Sequence, residues 1–322
     1  MDNFFIHFVL CNITIGLFVL ILLCMKRIFK HCLTPRMQFN LWIPFTISLL
    51  VPFLPVSFST LSTKMQDLFH PLAHFSHTVH TTNTSEYTSS STNQIYDYAI
   101  SMRTQFPVYI STIFCVIWGI GMFVMLFSFV RSLVLLHHMR RTANLMQDKR
   151  IHAIYMTCLS ELQLRKSIPL YSSSIIDTPV STGILRPAIF LPLHCISNFE
   201  EQEIRYILLH ELMHCYYKDA IFNYCMNIIR ILYWFHPLIW LITKEFYTER
   251  ELACDTSVLR LLGANEQISY GVTLLHFVDK QNNAPLSLLN NLSENAKQMK
   301  RRILNIKQHQ PLTIQKKLRS IL

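Results

Sequence analysis

The sequence predicts a mainly α-helical membrane protein, with three transmembrane helices followed by an α+β domain on the cytosolic side of the bilayer. Three observations predict it. The 322 residues are 51% hydrophobic and only 15% charged, with a mean hydropathy of +0.29, too apolar for a soluble domain of this size. The apolar residues are gathered into long runs rather than spread along the chain. Short apolar segments broken by Pro and Gly then precede a helix-patterned stretch near residue 210, the texture of a small sheet beside a helix.

The first span is Phe4 to Met25, uncharged and long enough to cross a bilayer. Asp2 precedes it and Lys26, Arg27 and Lys30 follow, the wrong charge order for a cleaved signal peptide. Leu41 to Phe58 is the second span, interrupted by Pro44, Pro52 and Pro55, and residues 1–58 form a unit of two spans with a short loop between them. Residues 59–105 follow as a Ser/Thr-rich extracellular loop with the sequon Asn83-Thr84-Ser85. Its His70, His74, His77 and His80 read more simply as solvated loop residues than as a second metal site. The third span is residues 106–130.

Basic residues set the orientation. Lys26, Arg27, Lys30 and Arg36 follow the first span, and Arg131, Arg140, Arg141, Lys149 and Arg150 follow the third, whereas only Lys64 and Arg103 lie between spans two and three. The positive-inside rule therefore predicts an outside N-terminus and a cytosolic chain from Arg131 onward. The net charge of +10 fits topology and attraction to anionic lipid; no nucleic-acid-binding pattern accompanies it, so direct nucleic-acid binding is not expected. The nine cysteines show no paired spacing and read as reduced, packing residues.

Residues 131–280 are the expected cytosolic-side domain. It begins with a basic helical stretch, 131–166, and continues with strand-like segments Ile168 to Ile176, Val180 to Ile184 and Ala188 to Leu191. An exposed edge of such a sheet can pair with an extended peptide. Next comes His210-Glu211-Leu212-Met213-His214. On a helix, residues four apart share a face, so His210 and His214 can offer imidazoles to one metal ion, and Glu211 sits where a carboxylate can take a proton from a metal-bound water. Ser197 and Glu200 read as the helix's capping box. Two ordinary histidines on a helix are the bland alternative.

Ala220 to Ile229 and Ile231 to Thr243 are too short to span, and Pro237 punctuates them, so they read as a re-entrant or embedded helical hairpin. The helix from Pro237 carries Glu251 and Asp255 one turn apart, which fits a third metal ligand and a carboxylate that orients a ligating His. Glu249 is an alternative ligand. Tyr216, Tyr217, His236, Tyr247 and Arg250 are candidates to stabilise an oxyanion, and Asp219 is a candidate to cap or orient the motif helix.

With His210-Glu211-x-x-His214 and Glu251-x-x-x-Asp255 placed after three spans, the chain resembles the gluzincin-type membrane metallopeptidases of the BlaR/MecR family. The segments Ile204 to Glu211, Gly183 to Pro192 and Phe235-His236-Pro237-Leu238 carry the same resemblance. It implies a gluzincin-like zinc protease domain in the cytosol, with one Zn2+ on His210, His214 and Glu251. It also implies Glu211 as general base and Asp255 behind a ligand His. The implied partners are the lipid bilayer and a cytosolic protein substrate, a transcriptional repressor of resistance genes among the candidates, with room for a homodimer.

Family members also cut themselves before a last span, here within Asn282 to Ala296. Residues 281–322 are accordingly expected to be a linker with an autocleavage region and a basic juxtamembrane tail. Members that sense β-lactams carry a Ser-x-x-Lys acylation motif in a further sensor domain; this sequence contains none, so β-lactam binding is not carried over. Two other readings stand beside a signalling protease: a housekeeping membrane protease of the heat-shock or prenyl-protein type, and a non-catalytic membrane adaptor.

Overall fold

A computed structural model describes residues 2–29, 33–50, 108–164, 167–282 and 289–309. The 59–105 loop lies outside them, with its four histidines and its sequon, as do most of the second half of the second predicted span and residues 310–322. Among the described residues the fold is mainly helical with one four-stranded sheet.

Helix α1 (Asp2–Phe29) contains the first predicted span. α2 (Pro35–Asn40) starts where Thr34 caps Met37 N–H and Pro35 supplies a preset φ, and α3 (Trp42–Leu50) continues from it. α4 (Val108–Thr142) runs well beyond the predicted third span. Its stretch Thr112–Thr142 is, among the described residues, the one helix long and apolar enough to cross a membrane. Ile113, Ile117, Ile120, Phe123 and Phe127 stand exposed along it.

The basic stretch 131–166 is not one helix. α4 ends at Thr142, β1 (Asn144–Leu145) intervenes, and α5 (Lys149–Glu161) restarts where Asp148 caps Arg150 N–H. The three predicted strands are present but shorter: β2 (Leu170–Ser173), β3 (Val180–Thr182) and β4 (Ala188–Pro192). Sheet order is β1-β2-β4-β3, with β2 parallel to β4 and the other pairs antiparallel. β4 is buried throughout, as a central strand should be, and β3 is left at an edge.

After α6 (Leu193–Asn198) comes the motif helix α7 (Glu201–Tyr216). The capping box lies one turn later than the sequence suggested. Glu200, not Ser197, is the N-cap, and Glu203 returns a carboxylate to its backbone N–H at 3.0 Å. Ser197 belongs to the preceding short helix and bonds His194 O at 3.2 Å. A two-residue turn then leads into α8 (Asp219–Leu232), and Pro237 at its first turn opens α9 (Pro237–Leu262). The break at Pro237 is where the sequence placed it, and the second helix runs on past Thr243 to Leu262. α10 (Gln267–Asn282) and α11 (Leu289–Gln308) complete the described chain.

Two apolar cores meet on α9, a 26-residue rod about 39 Å long. Ile239, Ile242, Phe246 and Ala253 on its first part join Ile15 and Val19 of α1, Phe39 of α2, and Trp42, Phe45 and Leu49 of α3. Its last turns, with Cys254, Val258, Leu259 and Leu262, join Leu208, Leu209 and Leu212 of α7 and Tyr270 of α10 in the larger core. The hairpin's apolar side therefore faces α1–α3, while Ile228, Trp240 and Leu241 remain exposed. α4 docks on the hairpin turn through a close approach: a Cβ at Gly121 would lie 2.1 Å from the Trp234 ring. Trp234 Nε1 donates to Trp118 O and Trp118 Nε1 to Leu232 O, each at 3.2 Å.

The tail is the largest departure from expectation. Leu289–Gln308, expected to belong to a linker and basic juxtamembrane tail, is a helix packed on α9 and α10. Met299, Ile303 and Ile306 lie against the larger core, and Arg302 is buried by α9. The run of basic residues around Arg302 that suggested a juxtamembrane tail lies on this packed helix.

Candidate metal centre

Helix α7 turns His210 and His214 to the same face, and α9 brings Glu251 against them from across the fold. His210 Nε2 lies 3.2 Å from His214 Nε2 and 3.3 Å from Glu251 Oε2, and His214 Nε2 lies 3.7 Å from Glu251 Oε1. Donors bound at 2.0–2.1 Å around a tetrahedral ion stand roughly 3.3–3.4 Å apart; the 3.2 and 3.3 Å separations match that spacing, and the 3.7 Å one, to the other carboxylate oxygen, is slightly longer.

The proton positions agree. Asp219 Oδ2 is 2.7 Å from His214 Nδ1, and a carboxylate only accepts, so Nδ1 carries the proton and Nε2 presents its lone pair. At His210 the same outcome is reached in two steps. The Tyr270 hydroxyl spends its single proton on Asp255 Oδ1 at 2.6 Å, and so accepts from His210 Nδ1 at 3.0 Å. Three acceptors thus converge on one point, an arrangement that a cation or extra protons must satisfy.

Charges around the point are arranged accordingly. Burial alone would raise Glu251, but Arg250, His214, His210 and Arg302 hold it well below the usual carboxylate range. Burial likewise opposes ionisation of Asp255, and Arg302 and His210 hold it low. Without a metal, His214 is pushed up to about 10: burial works against the charged ring, while Cys254, Glu251 and Asp219 outweigh it. A divalent ion would take the place of those protons.

Not every sequence candidate reaches the site. Glu211 is 8% exposed and lines the cleft beside the two histidines. Glu249 does not: it points to the opposite side of α9, where it pairs with Lys26 of α1 and accepts from Trp42 Nε1 at 2.7 Å. Two residues on a helix are about 200° apart, so Glu249 and Glu251 cannot share a face. His236 caps α9 near Gly16, away from the cleft, and Tyr247 lies against Phe246 and Arg250. Arg250 lines the cleft, and its guanidinium is held by Glu251 Oε1 and Asn223 Oδ1, both at 2.6 Å. Tyr216 is exposed, and Tyr217 lies under Arg36.

Two residues of the site were not legible in the sequence as site residues. Tyr270 sits on α10 with no motif around it. Arg302 sat in a run of basic residues that read as a membrane signal, yet it holds Asp255 with two bonds of 2.8 and 2.7 Å and lies 3.6 Å from Glu251. Cys254 is a further neighbour, its Sγ 3.5 Å from His210 Nδ1. With His210 and His214 it forms a looser donor group, all within 4.8 Å. We favour Glu251 over Cys254 as third donor, because Cys254 faces the nitrogen that carries a proton, whereas Glu251 faces both lone pairs.

The cleft has a volume of about 600 Å³. Edge strand β3 and its turn, Val180 to Leu185, form one wall, and Ile207, Leu274 and Phe277 add apolar surface. Gly183 at φ +101° permits the turn; a Cβ there would lie 2.4 Å from Arg186 O. The arrangement combines a metal-sized donor triangle, an adjacent carboxylate and a free sheet edge.

The family profile described as BlaR1 peptidase M56 matches residues 6–306. The chain belongs to the M56 peptidase family. Membership implies a metallopeptidase, in accord with the donor triangle. Among relatives of this M56 chain, Regulatory protein BlaR1 of Bacillus licheniformis is 30% identical over 95% of the chain and 51% of its own length. The methicillin resistance mecR1 protein of Staphylococcus aureus is 26% identical over 74% and 40%. Regulatory protein BlaR1 of Staphylococcus aureus is 24% identical over 90% and 48%. The chain spans about half the length of the curated relatives it matches.

Proposed function

We propose that this M56 chain is a membrane-embedded zinc endopeptidase of a signal-transducing regulator. It holds one Zn2+ on His210, His214 and Glu251. It hydrolyses peptide bonds in itself, in a cytosolic repressor, or in both. The observation that carries the reading is the 3.2–3.7 Å triangle of His210, His214 and Glu251 beside Glu211, at the foot of an edge strand. The names of the relatives, a regulatory protein and a methicillin resistance protein, support the signalling part.

A zinc ion held by His210, His214 and Glu251 would supply Lewis acidity and would lower the pKa of a bound water towards about 7. The remaining work belongs to the chain. β3 lays the substrate backbone extended across the cleft by strand pairing. Glu211 takes the proton of the attacking water and delivers it to the leaving amine. Asp219, and Asp255 through Tyr270, hold the two imidazoles in the tautomer and orientation that direct both Nε2 atoms inward. Arg302 neutralises the buried Asp255. β3 takes extended chain, so a self-cut within 289–296 requires the first turns of α11 to unwind.

In this reading the bilayer is crossed by α1, by the second apolar segment and by α4. The N-terminus lies outside, and 131–280 form the protease domain on the cytosolic side. The exposed apolar surface of α4 and the asymmetry of basic residues support this arrangement.

The test is zinc content and cleavage of casein and of candidate repressors by the purified full chain, wild type against Glu211→Ala. One zinc per chain in both proteins, with cleavage in the wild type reduced at least about 100-fold in the variant, is expected. Bound zinc with no Glu211-dependent cleavage would make the chain an adaptor and overturn the proposal.

A further inference from the structure

We infer that Arg36, on the short segment between the first two apolar runs, is a positioning residue of the metal centre, acting through Asp219 on His214. The inference rests on the proposed metal reading and adds a residue to it. By composition Arg36 was one of several bases that set membrane orientation, a role that needs only a charge in water.

The structure puts Arg36 elsewhere. Its side chain is 14% exposed, and its guanidinium carbon stacks 3.4 Å from the centroid of the Tyr217 ring. From there Nη1 lies 3.9 Å from Asp219 Oδ1. These two atoms are both buried, and neither has a hydrogen-bond partner. The other oxygen of Asp219 accepts from His214 Nδ1 at 2.7 Å.

The chain Tyr217–Arg36–Asp219–His214 is therefore continuous, and each link has a physical task. Tyr217 fixes the plane of the guanidinium. Arg36 sets a positive charge 3.9 Å from Asp219 Oδ1 and so fixes the orientation in which Oδ2 meets His214. Asp219 keeps the proton on Nδ1 and the lone pair on Nε2. Remove the guanidinium, and the buried Asp219 carboxylate loses the cation beside Oδ1 and is free to turn away from His214. Because α2 starts at Pro35, shortly after α1 ends at Phe29, the geometry of His214 depends on a segment next to the first apolar run, far upstream of the motif.

The experiment is a double-mutant cycle on the full chain in detergent. Zinc affinity is measured by chelator competition for wild type, Arg36→Met, Asp219→Asn and the double variant, with thermal melting of each metal-free protein as a folding control. Arg36→Met is expected to weaken zinc binding about ten-fold or more, the scale of losing an outer partner of a ligating His. In the Asp219→Asn background the same change should cost less than about two-fold, because its route to His214 is already cut. Arg36→Lys, which keeps charge but loses the stack, should recover part of the loss, and it replaces Arg36→Met in the cycle if the latter does not fold. Equal losses in both backgrounds, or no loss in either, would overturn the inference while leaving the metal reading intact. Failure of the wild type to bind zinc would instead sink the metal reading, and this inference with it.

Discussion

Two protons decide whether His210 and His214 can face one cation, and each is held by a different device. His214 has a direct carboxylate partner, whereas His210 has a phenol that relays to Asp255, which stands 3.4 Å from Nδ1. Tyr270→Phe removes the relay without removing the ring that fills the core. The expected result is a zinc affinity about ten-fold or more weaker with an unchanged fold, read by chelator competition and circular dichroism; affinity within two-fold of wild type would mean that Asp255 acts on His210 unaided. The motif residues themselves were visible in the sequence because their chemistry is local, four residues apart on one helix. Tyr270 and Arg302 were not, because their roles depend on where two later helices dock. Glu249 stayed open as an alternative for a related reason: its partners, Lys26 and Trp42, lie more than two hundred residues upstream.

The elements around the site are shaped by a few backbone requirements. Lys218, between α7 and α8, has φ +55°, the left-handed region that costs a residue with a Cβ about 1–2 kcal/mol. The turn is what swings Asp219 back under His214. Lys218→Gly should therefore keep or slightly raise the melting temperature, and Lys218→Val, β-branched in the same conformation, should lower it by several degrees. A Val variant as stable as wild type would show that the turn relaxes. Helix and strand positions were largely legible from apolar periodicity and from Pro and Gly punctuation, down to Pro237 at the head of α9. Boundaries were not, since whether Ser197 or Glu200 caps α7 depends on a short helix, α6, that composition did not signal. β1, two residues long, offered no periodicity at all.

At the scale of the whole molecule, two cores share one long helix, so whatever shifts α1–α3 bears on the helix that carries Glu251. The larger core sets its own pH limit. Burial, with Glu161 nearby, pushes the Cys158 thiol up to about 12 from an ordinary value near 9. An unfolded chain ionises this thiol as pH climbs above about 9 and the folded one does not, so its contribution to stability is present below pH 9 and is lost from there towards 12. The expected observation is that Cys158 resists a thiol reagent at pH 8 until the domain unfolds; rapid modification of Cys158 in the native protein would contradict the packing described. The general architecture, apolar helices leading to a mixed domain, was legible from composition. The reach of α11 into the metal centre was not, because a basic amphipathic helix has the same pattern whether it covers lipid or protein.

The central claim is the identity of the third donor, and X-ray absorption of the zinc-loaded full chain addresses it most directly. The account predicts a four-coordinate zinc with only nitrogen and oxygen neighbours at about 2.0–2.2 Å, from His210, His214, Glu251 and water. A sulfur neighbour at about 2.3 Å would place Cys254 in the shell instead and contradict it.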